Sequence, residues 1–268
     1  MHVVMVTGYS RGIGAAMVRD LLRRRREGTL PAGFVFIGRQ QPAPADLAAG
    51  DVFVKADLSV ALTGEALDEL GRLIAPHSDH GGRAGLVYAA GSLGPLGFGS
   101  LKEGGLPAFA KDLSGTLHVN ATNFALLSTV LEGRMQHGSA GGAVLHLSSG
   151  AALHSYAALG AYCASKAAAL MHARCLAARY QPERLCVLSV APGTVRTAMT
   201  ETLAGSDAQR WPELTKFKDL DRSGGLVEAD PVGCRLVALM LDDEHVAWRS
   251  QAHGCFYDLR KPNEFLRW

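Results

Sequence analysis

No stretch of this chain stays apolar for the roughly 18 residues that a helix needs to cross a bilayer, so a membrane-spanning protein is not expected. A secretory leader is missing too: Met1 runs straight into the apolar Val3-Val4-Met5-Val6, which predicts a cytoplasmic protein. Excess charge is also lacking. Lys and Arg number 27 against 25 Asp and Glu, and the resulting net charge of +2 gives no argument for a nucleic-acid partner. The basic run Arg23–Arg26 falls at the end of a predicted helix, where positive charge complements the helix dipole and solvates the terminus. The five cysteines (Cys163, Cys175, Cys186, Cys234 and Cys255) are dispersed and include no C-x-x-C pair, which argues against both zinc and a disulfide framework. His77 and His80 flank a Ser-Asp pair but lack the partner cluster a metal needs, so no metal is expected. Repeats and low-complexity tracts are absent, and Gly81-Gly82 and Gly138–Gly142 read as turns before strands rather than as linkers.

What remains is a chain of 268 residues with 48% hydrophobic content, enough to bury one large core in a single α/β domain spanning residues 1–268. Apolar strand-like runs alternate with longer helical ones, the pattern of a doubly wound parallel sheet covered on both faces. The predicted strands are Val3–Thr7, Gly33–Gly38, Asp51–Ala56, Gly85–Ala89, Gly142–Ser148, Leu185–Ala191 and Ala252–Tyr257. Thr197–Glu228 stands apart, with Met199, Leu203, Trp211 and Leu214 set among charged residues. So long and mixed a segment reads as a substrate lid.

Two motifs carry chemistry. After the first strand, Thr7-Gly8-Tyr9-Ser10-Arg11-Gly12-Ile13-Gly14 places glycines where a buried strand turns into a helix. Glycines there permit a tight turn and let backbone N–H groups approach a pyrophosphate at the helix N-terminus. The second motif is Tyr162-Cys-Ala-Ser-Lys166 in the predicted helix Ala161–Arg179, whose i,i+4 spacing puts phenol and ammonium on one face. A cation beside the phenol would lower its pKa from about 10 toward neutrality. Ser149 ends the strand-like run Ala143–Ser149, where its hydroxyl can bond a substrate oxygen beside that phenol. Together these side chains suit proton exchange with a carbonyl or alcohol.

Both motifs together resemble the short-chain dehydrogenase/reductase family, whose fold is a Rossmann-type doubly wound sheet. Further segments match in the family's order. Asp57-Leu58 is similar to its adenine-contacting pair, and Ala89-Ala90-Gly91 to its N-N-A-G turn, with Tyr88 and Ala89 in place of both asparagines. Asn120 matches the helix Asn of the Asn-Ser-Tyr-Lys tetrad, implied to position a water for proton relay. Pro192-Gly193-Thr194-Val195-Arg196-Thr197 matches the loop at the nicotinamide end. The resemblance therefore implies catalysis by Asn120, Ser149, Tyr162 and Lys166. It also implies cofactor contacts from Gly8, Ser10, Arg11, Gly12, Ile13, Gly14, Arg39, Asp57, Leu58, Ala89, Ala90, Gly91, Tyr162, Lys166, Pro192, Gly193, Val195 and Thr197. His154 would sit at most on the substrate rim.

Charge selects the cofactor. An acid after the second strand accepts the ribose 2′-OH of NAD, whereas an Arg accommodates the 2′-phosphate of NADP. Phe34–Ile37 here leads into Gly38-Arg39-Gln40, and Arg11 adds a second cation, so NADP(H) is expected. Within the family the chain resembles the sepiapterin reductases and bacterial diketone (benzil) reductases, through Ala90–Gly94, Leu159–Ala167, Gly224–Val227 and Gly254–Asp258. Pterin-reducing members carry an acid where this chain has Cys255, which tilts the expectation toward an adjacent dicarbonyl or ketone with a pterin side-chain carbonyl as the alternative. The substrate pocket is expected from Ser149, Leu159, Tyr162, Met199, Trp211 and Cys255. A non-catalytic NADPH sensor stays open as another class. Family habit also implies a homodimer, or a tetramer, through the helix bearing Phe124–Leu131 and the helix bearing Tyr162.

Overall fold

The strand sequences carry few polar side chains, and a strand so composed must be covered on both faces. Val3–Thr7 and Leu185–Ala191 are buried at every position. The computed structural model describes residues 2–43, 46–78, 81–97, 105–136, 139–207, 209, 211–261 and 264–266; His80 and Gly138 lie outside the described residues. In chain order the elements are β1 (Val3–Thr7), α1 (Gly12–Arg26), β2 (Gly33–Gly38), β3 (Val52–Lys55), α2 (Gly64–Ser78), β4 (Arg83–Tyr88), α3 (Gly105–Leu117), α4 (Asn123–Gln136), β5 (Gly141–Leu147), α5 (Gly160–Ala177), β6 (Leu185–Ala191), α6 (Ala198–Ala204), α7 (Thr215–Arg222), α8 (Ala229–Leu241), α9 (Val246–Ala252), β7 (Phe256–Asp258) and β8 (Phe265–Leu266).

The strands form one eight-stranded sheet in the order β3-β2-β1-β4-β5-β6-β7-β8. Every pairing from β3 to β7 is parallel, and β8 closes the edge antiparallel to β7. One face packs Val4, Phe34, Leu145 and Leu188 against Met17 and Leu21 of α1 and Leu236 of α8. The other packs Met5, Ile37, Val144 and Val187 against Leu70 of α2, Phe124 and Leu127 of α4 and Ala173 of α5. Strand β1 pairs with β2 on one side and β4 on the other, so the order reverses there and opens a crevice at the C-terminal edge. Among the described residues, no helix is long and apolar enough to cross a membrane.

Two expectations need correction. Residues 252–257 do not form one strand: Ala252 ends α9, Gly254 turns the chain at φ +71, and only Phe256–Asp258 joins the sheet. Packing explains the difference, because Trp248 of α9 sets its ring 4.8 Å from that of Tyr257 and 6.0 Å from that of Phe265. The basic end of α1 is not simply solvated. Arg23 and Arg24 both bond Asp20, which is buried, Arg24 also reaches Asp242, and Arg25 meets Asp51 at 2.7 Å. Boundaries shift slightly as well, with β3 shorter than expected and β4 ending at Tyr88 rather than Ala89.

Tyr88 stands where the resembling family has asparagine, and it supplies a brace of its own. Its ring is fully buried 5.3 Å from that of Phe124, and its hydroxyl donates to Val119 O at 2.6 Å. Val119 lies in a π-helical turn, His118–Thr122, between α3 and α4. Such turns occur mostly at functional positions, because they break the regular hydrogen-bond ladder. Tyr88→Phe removes the donor and strands a carbonyl, so the unfolding free energy should fall by about 1–3 kcal/mol in urea titration. An unchanged midpoint and slope would show that the bond contributes nothing.

Candidate active site

Three segments meet at the crevice. Gly8 has φ +69, and a Cβ there would fall 2.4 Å from Ala89 C and Ala90 N; one on Gly14 would fall 2.0 Å from Gly8 O. Only glycine lets the turn pack this tightly on the end of β4, where Thr7 Oγ1 also accepts from Ala90 N at 3.3 Å. Thr197 closes the third side, its methyl carbon 3.2 Å from where a Cβ on Gly12 would sit. The predicted residues Gly8, Gly12, Ile13, Gly14, Ala89, Ala90 and Thr197 are thus brought together. Asp57 follows β3, held below the usual carboxylate range chiefly by the Ser59 backbone N–H, and Leu58 is buried beside it. Pro192, Gly193 and Val195 follow β6. Gly193 turns at φ +85, and Val195 is buried and bridged to Val227.

Ser10, Arg11 and Arg39 are exposed at the mouth of the Gly-rich turn. Arg19, Arg23, Arg24 and Arg25 all hold carboxylates. Among the described residues, neither Arg11 nor Arg39 makes a salt bridge, although Arg39 is near enough to Asp57 to help lower that carboxyl. Two such cations beside a turn of close-packed backbone fit a phosphate-bearing ligand.

Tyr162 and Lys166 project from the first turns of α5, 8% and 3% exposed. Lys166 Nζ donates to Leu147 O at 2.8 Å and lies 5.8 Å from the centre of the Tyr162 ring. Burial pulls its pKa down to about 8. Burial also pushes the Tyr162 phenol up to about 12, opposed by the nearby Ser149 hydroxyl. The expectation of a phenol lowered toward neutrality is therefore corrected: desolvation exceeds the effect of the neighbouring side chains, and the phenol stays protonated. Ser149 Oγ accepts from Ala151 N at 3.2 Å, which leaves its own proton to donate.

Asn120 lies in the π-helical turn and is fully buried. Its amide donates to Ser92 O at 2.7 Å and Ser165 Oγ at 2.8 Å and accepts from Ser92 N at 2.9 Å, clamping the segment after Gly91 to α5. Sequence reasoning passed over its neighbour Asn123, also fully buried, which bonds Leu58 O, Val60 O and Leu62 N and so pins the segment after Asp57. The Asn-x-x-Asn spacing on one helix face was the available signal. His146 was passed over too. It stacks on Phe124 at 4.5 Å between ring centres, and burial, Lys166 and His172 hold it neutral.

The inserted segment folds over this pair. Its ends are tied by Arg196 N donating to Val227 O at 2.8 Å, and by the Arg196 side chain on Asp221 and Glu228. Leu203 and Leu214, with Met199, Trp211 and Phe217, pack into one apolar cluster with Leu159, Tyr162 and Tyr156. Glu213 accepts from Ala158 N at 2.8 Å, and Lys216 Nζ sits 4.0 Å above the Tyr156 ring, fastening the segment to the loop before α5. Met199 also extends its methyl toward Gly91. His154 is exposed, its carbonyl accepting from the Cys163 thiol.

Cys255 is not part of this cluster. Its thiol bonds Gln251 O and His253 O, and it lies near Arg174, twelve residues beyond Tyr162 on α5, a rise of about 18 Å. Asp258, at the crevice end of β7, is held by Arg260 instead, with bonds of 2.9 and 2.6 Å.

The family model for short chain dehydrogenases matches residues 2–207. The chain belongs to the short-chain dehydrogenase/reductase family. It is 30% identical to the sepiapterin reductase of Mus musculus, over 96% of this chain and 97% of that protein. It is 24% identical to benzil reductase ((S)-benzoin forming) of Bacillus subtilis, over 99% and 100%. Among solved structures, a short chain dehydrogenase of Shigella flexneri complexed with NADP superposes with a TM-score of 0.69 at 24% identity, covering 97% of each chain. KRED1-Pglu does so with 0.69 at 24%, covering 96% of this chain and 100% of its own. The family is one of oxidoreductases, and the site offers a protonated phenol and a buried ammonium under an apolar cover.

If turnover requires the Lys166 charge, it depends on pH in a definite sense: Nζ is protonated below about pH 8 and neutral above, while Tyr162 keeps its proton up to about 12. Carbonyl reduction should therefore hold level to about pH 8 and decline above it. A rate still level near about pH 10 would show that this charge is not needed.

Proposed function

We propose that this chain is an NADPH-dependent carbonyl reductase acting on a bulky ketone or adjacent dicarbonyl. The observation that carries the reading is the closure of Leu203, Leu214, Met199 and Trp211 over a protonated Tyr162. An apolar lining beside the Ser149 and Tyr162 hydroxyls suits a flat or aromatic carbonyl rather than a small polar one. The glycine turn that a Cβ would fill and the exposed cations Arg11 and Arg39, which make no salt bridge among the described residues, fit NADP(H). Gly8, Ser10, Arg11, Gly12, Ile13, Gly14, Arg39, Asp57, Leu58, Ala89, Ala90 and Gly91 would hold its adenosine and pyrophosphate. Pro192, Gly193, Val195, Thr197, Tyr162 and Lys166 would hold its nicotinamide half. When bound, this cofactor supplies the hydride.

The protein's own part is to bind the carbonyl oxygen and protonate it. Ser149 and Tyr162 donate to that oxygen and act most strongly as negative charge develops there. Tyr162 then gives up its proton, which a phenol of raised pKa still does, because the forming alkoxide is the stronger base. Lys166, fixed by Leu147 O, stabilises the phenolate left behind. The Asn120 amide is committed to Ser92 and Ser165, so its part is to position, and any water it holds would rest on its main chain.

Pterin side-chain reduction is the second reading, favoured by the 30% identity to a sepiapterin reductase. Against it, Cys255 lies away from the site, and Asp258 would have to leave Arg260 to grip a pterin. A homodimer through α4 and α5 is proposed as well, since α5 exposes Ala164, Ala167, Ala168 and Met171 along one stripe.

Tyr162→Phe tests the acid role. It should reduce NADPH-dependent turnover by about a hundredfold or more, within the range for general acid catalysis, while NADPH binding stays within about twofold. Substantial turnover in this variant would remove Tyr162 from that role.

A further inference from the structure

Tyr9 occupies the turn between Gly8 and Ser10, where its side chain does not reach outward to the crevice mouth as Arg11 does. It is 8% exposed and runs sideways beneath the turn to the end of β2. There its ring meets Phe36 edge-on, with centres 5.2 Å apart and planes at 69°, and its hydroxyl donates to Gln40 O. The space exists because residue 38 is glycine: a Cβ there would fall 2.9 Å from the Tyr9 oxygen and 3.2 Å from the ring. Burial raises the phenol to about 12, so it remains a donor throughout the working pH range.

The bond falls at a decisive place in the chain. Sheet pairing at the end of β2 stops with Ala56 N donating to Gly38 O at 2.8 Å. Arg39 and Gln40 follow, exposed, at the start of the irregular connection to β3. Tyr9 is two residues from Arg11 and bonds the residue after Arg39. Beyond the last β1–β2 pairing, Thr7 with Ile37, this one side chain therefore ties together the two backbone segments that carry Arg11 and Arg39. Two cations strengthen each other on a single dianion only when both reach it, and a tether that fixes their separation beforehand lowers the ordering cost of binding.

We propose that Tyr9 is a positioning residue for recognition of the cofactor's 2′-phosphate, holding Arg39 at the distance from Arg11 that lets both engage one phosphate group. This rests on the NADPH reading above. It adds that selectivity depends on a buried neutral side chain that does not touch the phosphate.

The test uses adenosine 2′,5′-bisphosphate as the probe and 5′-AMP, which lacks the 2′-phosphate, as the control, titrated calorimetrically into the intact protein. Wild type should bind the bisphosphate at least about tenfold more tightly. Tyr9→Phe should lose about five- to tenfold on the bisphosphate and less than about twofold on 5′-AMP. Gly38→Ala, which crowds the hydroxyl off Gln40 without altering Tyr9, should give the same pattern. Thermal melts of both variants confirm that folded protein is being titrated. If wild type does not discriminate between the two probes, the cofactor reading itself fails. If wild type discriminates and the variants keep that ratio, or lose affinity equally for both probes, Tyr9 only supports the fold and the positioning role is overturned.

Discussion

Desolvation governs this site. Tyr162 is buried in one apolar cluster with Leu203 and Leu214, Lys166 is buried with its Nζ on Leu147 O, and the loss of water drives both toward their neutral forms. A phenol kept protonated is ready to give a proton, the form that the proposed carbonyl reduction requires of Tyr162. The Lys166 ammonium donates to Leu147 O, the last carbonyl of β5. Under the proposed function the same apolar cover would disfavour small polar carbonyls, so electrostatics and substrate choice would share one cause.

That cover would achieve little without a rigid floor. The parallel sheet supplies it, with β1 and β4 diverging at the reversal of strand order and Gly8 pressed against Ala89 and Ala90. Buried amides then fasten the loops above: Asn120 clamps the segment after β4 to α5, and Asn123 pins the one after β3. Tyr88 anchors the π-helical turn from which Asn120 projects. The charges are divided just as clearly. Arginines at the far end of α1 are consumed by Asp20, Asp51 and Asp242, whereas the exposed Arg11 and Arg39 make no salt bridge among the described residues.

The sheet was largely legible because a strand buried on both faces can hardly hide its Val- and Leu-rich run, and the glycine turn was legible because few other structures need glycine at those positions. Tyr162, Lys166 and Ser149 could be read from spacing and from the end of a strand. Their pKa direction could not, since spacing shows which charges are neighbours but not how much water is removed. Cys255 was placed at the substrate because it precedes Phe256-Tyr257-Asp258. Only the turn at Gly254 and the helix before it reveal that it lies along the distant half of α5. The brace that Tyr88 supplies was not legible, because a sequence cannot show that its side chain reaches Val119.

Wild-type initial rates of NADPH oxidation across a carbonyl panel bear most directly on the central claim. An aromatic diketone such as benzil should be turned over with kcat/KM at least about tenfold above that of a small aliphatic diketone, the margin expected when a few buried apolar contacts distinguish two substrates. NADPH binding without oxidation across the whole panel, or a preference for the small polar carbonyl, would contradict it.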